Sequence, residues 1–359
     1  MATVHVAIAR EGADSGRPVA IKMIRDEYVR SAEFAAMFLD EARIVAGLRH
    51  PNVLRYEELG REDGRAFIAM ELLYGQSLWS VWEACRARGV RLRYPMIAWI
   101  GARVADGLHY AHEATDAAAR PLDIVHRDIN PANVFVTYEG EVKVIDFGLA
   151  KAKNRASKTA AGVIKGKVAY MSPEQAVGGG LDRRSDLFAL GTTLWELACD
   201  RRLFKHVDEV ETLRRVNAAA VPDPTALIEG FPLPLWRILA HALARDPENR
   251  YQSAAVMARD LDDFARGAPE PPSARSLAEV MAALFPGDAL RQQTWVSDVT
   301  APGSLGAAPL KARSTFSGTE ADDPSAWTTP ARRTPPLVQI ALVVVGAILA
   351  AVLVALALR

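Results

Sequence analysis

The sequence predicts an α+β fold in which strands come first and helices make up most of the remaining chain. Residues 2–9 and 18–24 alternate apolar and polar side chains, the period of a half-buried strand, and the loop 11–17 between them is rich in Gly, Asp and Ser. From Ser77 onward apolar residues recur instead at helical spacing, most plainly over residues 94–112. Residues 337–358 then run without a charge and with one polar side chain, Gln339.

The other elements can be placed in chain order. Residues 31–48 read as a helix, with Phe34, Met37, Phe38, Ile44, Val45 and Leu48 on one face. After Arg266 the composition shifts: Gly267-Ala268-Pro269-Glu270-Pro271-Pro272 breaks the pattern, and 267–295 is expected to be a helical extension. Its amphipathic helix, 276–285, has Leu277, Val280, Met281, Leu284 and Phe285 on one side. Pro, Ser, Thr, Gly and Ala dominate 296–336, which predicts a flexible tether. The 22 residues 337–358 would span about 33 Å as a helix, enough for a bilayer core. Arg332 and Arg333 precede this run and only Arg359 follows it, so the residues before it are expected on the cytoplasmic side of the cell's inner membrane, anchored by a single pass.

Composition narrows the function. The 359 residues hold 43 basic and 43 acidic side chains, a balance that gives no broad basic field for nucleic acid. The two cysteines, Cys85 and Cys199, have no metal-ligand spacing and suit a reducing compartment. The first 25 residues contain several charges and no apolar core stretch, so no signal peptide is expected.

The chemistry is concentrated in two segments. Val125-His126-Arg127-Asp128-Ile129-Asn130-Pro131-Ala132-Asn133 is followed by Lys143-Val144-Ile145-Asp146-Phe147-Gly148, with 18 residues from aspartate to aspartate. An H-R-D-x-x-x-x-N segment followed by D-F-G resembles the catalytic core of the eukaryotic-like, bacterial-type serine/threonine protein kinases. Upstream, Val19-Ala20-Ile21-Lys22 matches their V-A-I-K strand, and Phe38-Leu39-Asp40-Glu41-Ala42-Arg43 their αC helix. Downstream, Ala169-Tyr170-Met171-Ser172-Pro173-Glu174 stands where the family has A-P-E. Ser185-Asp186 resembles the start of its αF helix, and Arg250 is placed to pair with Glu174. The resemblance covers residues 2 to about 265, and Glu174-Gln175 leans toward the bacterial branch.

The resemblance implies a bilobal fold of residues 1–266, with a small β-rich N-lobe lacking its first strand and a helical C-lobe. It implies ATP and Mg²⁺ as cofactors and proteins as substrates. Asp128 would orient the attacking hydroxyl, and Asn133 and Asp146 would bind the metal. Lys22 would hold phosphates and Glu41 would hold Lys22. Val4, Ala20, the gatekeeper Met70, backbone groups of Glu71 and Leu73, and Phe135 beneath the base would form the adenine site. Residues 67–73 resemble the last N-lobe strand and the hinge. Arg127 would receive an activation-loop phosphate, for which Ser157 and Thr159 are the candidate sites.

Two departures qualify these expectations. Val4 takes the place of the glycine-rich loop's valine, 18 residues before Lys22, and Ala2 takes the place of its last glycine. Either Met1 is an internal methionine of that loop, or the loop is missing and ATP loses part of its lid. Asn130 stands where most Ser/Thr members carry lysine, and Lys167 where most carry threonine. Lys167 therefore either returns an ammonium to Asp128 and the γ-phosphate or is solvated. The sequence thus predicts a membrane-anchored Ser/Thr kinase, with a catalytically weak or inactive kinase-like scaffold as the alternative.

Overall fold

The computed structural model describes residues 2–9, 16–24, 45–62, 65–147 and 168–301. The alternation at the N-terminus builds a four-stranded antiparallel sheet from β1 (Ala2–Ile8), β2 (Pro18–Ile24), β3 (Tyr56–Glu62) and β4 (Arg65–Glu71), in the order β1-β2-β4-β3. One face is apolar: Ala20 and Ile24 of β2 and Ile68 and Met70 of β4 are buried. The register sets Val4 against Lys22, Lys22 against Ile68 and Ala20 against Met70. Lys22 is therefore carried by an inner strand, whose path is fixed by ladders on both sides.

The chain leaves β4 through residues 72–74 and enters a smaller sheet, β5 (Gly75–Ser77), β6 (Val134–Thr137) and β7 (Val142–Val144), in the order β5-β6-β7. Gly75 is required here, because a Cβ would lie 2.1 Å from the Val136 carbonyl oxygen. Ser77 then caps α1 (Leu78–Ala87) by accepting the Ser80 N–H, which satisfies one of the orphan donors of a helix start. Leu78, Val81, Trp82 and Cys85 turn inward from this helix.

The helical lobe is organised around two long helices, α2 (Tyr94–His112) and α4 (Arg184–Cys199), with the one-turn α3 (Pro173–Ala176) between them in sequence. All but the first residue of α4 are buried, which marks it as the central helix. The two long helices approach closely at Gly101, where an added Cβ would lie 2.6 Å from a Leu194 methyl. Then come α5 (Glu209–Ala218), α6 (Leu233–Ala242) and α7 (Ala254–Arg266), the last packed along α2 through a face that includes Met257 and Leu261. The result is a small sheet lobe joined to a helical lobe.

Beyond Arg266 the structure differs from the expectation. The extension forms two helices, α8 (Ala274–Leu284) and α9 (Asp288–Thr300). Ser273 and Ser276 form a reciprocal capping box at the start of α8, and Leu277, Met281 and Leu284 anchor it. Residues 296–300, expected to begin the tether, lie within α9, where Val296 is buried. Among the described residues no helix is long and apolar enough to cross a membrane. The run 337–358 lies outside the described residues, as do 25–44 with Glu41 and 148–167 with Ser157, Thr159 and Lys167.

Candidate active site

The loop that carries Asp128 is held from below by one carboxylate. Asp186, in the first turn of α4, accepts the N–H groups of His126 and Arg127, each at 2.8 Å, and meets His112 Nε2 at 2.8 Å. Burial alone would raise Asp186, but the hydrogen bond and charge of His112, with the Arg127 N–H, hold it below the ordinary carboxylate value. The two backbone bonds fix a strained turn: Arg127 has φ +66, a region that a non-glycine residue occupies at a cost.

His126 serves the same loop from inside. Its Nδ1 accepts the Asp128 N–H at 3.2 Å, which leaves Nε2 as the protonated nitrogen facing the Ile145 carbonyl at 3.1 Å. Burial lowers its pKa, so the ring stays neutral near pH 7, and it packs on Phe147 at 4.6 Å.

Asn130, the residue that replaces the usual lysine, is 1% exposed. Its Oδ1 accepts the Ala132 N–H at 3.0 Å and caps the 3₁₀ turn Pro131–Asn133, while its Nδ2 donates to the Asp128 carbonyl at 2.7 Å. Its amide thus holds the loop together. Asn133, at the end of that turn, donates from Nδ2 to the Asp128 carboxylate at 3.0 Å and to the Asp128 carbonyl at 2.8 Å.

The second acidic residue arrives on the β6–β7 hairpin. The Ile145 N–H donates to the Asn133 carbonyl at 2.9 Å, which sets Asp146 beside the loop. Asp146 has φ +56, a second non-glycine residue in the left-handed region at the same site. Lys22, 124 residues away, meets its Oδ1 at 2.7 Å. The Asn133 side-chain oxygen and the Asp146 carboxylate fit a hard cation that keeps waters and shares phosphate ligands, as Mg²⁺ does.

The adenine candidates are carried by both sheets and by the segment that joins them. Met70 is buried opposite Ala20, Val4 packs against the apolar core, and Phe135 lies between Ser77 and Lys143 in the register. Leu73 also packs partly buried against that core. The Glu71 N–H donates to the Arg55 carbonyl at 3.0 Å, and its carboxylate accepts the Arg55 N–H at 2.8 Å. That carboxylate also pairs with Lys143 at 3.1 Å, a tie between the end of β4 and β7 that sequence reasoning missed. Lys143 stands in a three-residue strand buried throughout, where an ammonium needs a partner.

A second buried pair braces the frame. Arg250 makes a bidentate contact with Glu174, 2.8 Å on each arm, and Ser185 Oγ donates to the same carboxylate at 2.6 Å. Burial would raise Glu174, but these hydrogen bonds and the guanidinium charge bring it down to about 2. Next to it, Gln175 Nε2 donates to the Arg127 carbonyl at 3.0 Å, linking this segment to the loop of Asp128.

Comparison with known proteins agrees with this architecture. The family model described as "Protein kinase domain" matches residues 3–261. The chain is 40% identical over 254 residues to the tyrosine-protein kinase MasK of Myxococcus xanthus, covering 70% of this chain and 39% of MasK. It is 33% identical over 298 residues to the serine/threonine-protein kinase PknL of Mycobacterium tuberculosis, covering 82% of this chain and 69% of PknL. With the serine/threonine-protein kinase PrkC of Bacillus subtilis it shares 34% over 262 residues, 73% of this chain and 38% of PrkC. The chain thus spans about two fifths of MasK and of PrkC. Among solved structures, the Mycobacterium tuberculosis PknI kinase domain (C20A mutant) is similar, with a TM-score of 0.51 and 25% identity over 71% of this chain and 88% of that one.

Proposed function

The chain belongs to the protein kinase domain family, and we propose that it transfers the γ-phosphoryl group of ATP to serine and threonine hydroxyls of proteins. The observation that carries this is the connected path from Asp128 through Asn133 and Ile145 to Asp146 and Lys22. Phosphoryl transfer depends mainly on positioning and charge stabilisation, and this path holds the groups for both. Asp128 orients the acceptor hydroxyl and takes its proton. Asn133 and Asp146 would hold Mg²⁺, which would supply positive charge to screen the phosphates. The Lys22 ammonium turns from Asp146 toward the phosphates, and Glu41 supplies its second carboxylate. Lys167 restores the cation that Asn130 does not provide. Ser157 and Thr159 are the activation-loop phosphosites, read by Arg127.

The acceptor class has a second reading. MasK is a tyrosine-protein kinase, and Asn130 departs from the lysine usual in Ser/Thr members. Phosphoamino-acid analysis of the autophosphorylated chain separates the two: phosphoserine and phosphothreonine support the first, phosphotyrosine alone the second. Nucleotide binding without any transfer would instead identify a kinase-like scaffold that works through partners.

The same reading places the kinase at the cytoplasmic face of the inner membrane. Its support is the uncharged run 337–358, the arginines before it and the Pro- and Ser-rich stretch that separates it from the catalytic region.

A further inference from the structure

Helix α9 lies beyond the segment that matches the kinase family, yet it closes on the hinge. Gln292 accepts the Gly75 N–H at Oε1 (3.2 Å) and directs Nε2 to the Gly75 carbonyl (3.3 Å). The same nitrogen donates to the Tyr138 hydroxyl at 3.0 Å. That hydroxyl also receives Gln76 Nε2 at 2.9 Å, and the Tyr138 N–H donates to the Tyr74 carbonyl at 3.0 Å. Tyr74, Gly75 and Gln76 come directly after the adenine-facing hinge, and all three are drawn into one network.

The pattern has a physical reason. β5 is the outer strand of its sheet, and an outer strand presents backbone N–H and C=O groups that need partners. A primary amide sets a carbonyl oxygen and an NH₂ side by side, so Gln292 answers both groups of Gly75 as a paired strand residue would and keeps a second N–H for Tyr138.

The helix reaches both lobes. It packs against β1, whose Val4 pairs with Lys22, while α8 before it packs on α1 of the helical lobe. Lobe separation decides whether Lys22 can share phosphates with a metal held by Asn133 and Asp146.

We propose that α9 is a strap across the interlobe hinge and that Gln292 is a positioning residue for the nucleotide, a role that rests on the kinase reading above. Gln292 does not contact the nucleotide; it fixes Gly75 and Tyr138, and through them the hinge backbone. The extension is thereby part of the ATP site.

The test is steady-state kinetics and ATP–Mg²⁺ binding on the full chain, native and with Gln292→Ala, Gln292→Glu and, as a control, the exposed Leu290→Ala. Gln292→Ala is expected to raise the KM and Kd for ATP about tenfold, with kcat within about twofold of native, because hydrogen bonds that hold the binding geometry are lost and the chemical groups are not. Gln292→Glu keeps an acceptor for the Gly75 N–H and loses the donor, so it is expected to fall between, at about threefold. It also supplies the answer if the alanine variant does not fold. ATP affinity within about twofold of native in both Gln292 variants would overturn the strap while leaving the kinase reading intact. A parallel loss of kcat and folded fraction with ATP affinity unchanged would reduce Gln292 to a general structural contact and overturn it too. A native chain that neither binds ATP nor transfers phosphate would remove the kinase reading itself.

Discussion

Lys22 and Asp146 meet at 2.7 Å across 124 residues of sequence, one on an inner strand of the four-stranded sheet and the other at the end of the β6–β7 hairpin. The side chains are 24% and 45% exposed, so solvent reaches both. In a partly solvated pair of this kind the attraction is modest, and phosphates and a divalent cation can compete for the two charges.

Loss of Asp128 should separate chemistry from binding. Asp128→Asn keeps an oxygen for the Asn133 amide and leaves the backbone contacts of the loop in place. Autophosphorylation is expected to disappear while ATP affinity stays near native. Lys22→Ala should instead weaken ATP binding as well as transfer. Equal transfer rates in native and Asp128→Asn proteins would remove Asp128 from the mechanism.

The Glu174–Arg250 pair predicts an acid limit on stability. Its folded-state pKa of about 2 lies below the ordinary 4.5, so its contribution is present above the ordinary value and is lost as pH falls through the interval toward about 2. The shift corresponds to roughly 3 kcal/mol when fully expressed, an order of magnitude for a group only 16% exposed. Denaturant titrations between pH 6 and 3 (chosen to bracket roughly the onset of protonation) should show a steeper loss for native protein than for Glu174→Gln. Parallel slopes would contradict this.

Asn130 and Lys167 should fail in different ways. Asn130→Ala removes the cap of the Pro131–Asn133 turn and is expected to cost about 1 kcal/mol of stability. Lys167→Ala is expected to leave stability alone and to lower kcat by about 10²-fold or more, the effect of losing a placed cation. A kcat within about twofold of native would make Lys167 a solvated charge. Asn130→Lys with Lys167→Thr restores the usual side chains but sacrifices the cap, so its recovery is expected to be partial.

Deletion of residues 337–359 should move the protein from the membrane fraction to the soluble fraction with its melting transition unchanged. Continued membrane association of the shortened chain would place the anchor elsewhere.

Legibility in the sequence depended on the range of the interaction. The strands at Ala2–Ile8 and Pro18–Ile24 and the helix at Tyr94–His112 were readable because periodicity reports which face is buried. Asp128, Asn133 and Asp146 were readable because contiguous motifs carry them. Contacts between distant segments were readable only where the family resemblance carried them, as for Arg250 with Glu174; neither Lys143 with Glu71 nor Lys22 with Asp146 leaves a mark on local pattern. Helix α9 escaped for a different reason. It buries one residue, Val296, and its Gln292 amide ties it to Gly75 and Tyr138, which hydrophobic periodicity cannot register.

The depth at which α8 is set bears on where the folded unit ends. Leu277 and Met281 are fully buried and Leu284 nearly so, although all three lie past the last residue that matches the family. Full burial of such side chains is worth about 1.5–3 kcal/mol each. A fragment stopped at residue 266, where resemblance would draw the boundary, would uncover the apolar seat they occupy. Such a fragment would be prone to self-association, and any low activity measured on it would report a wounded surface before it reported the enzyme.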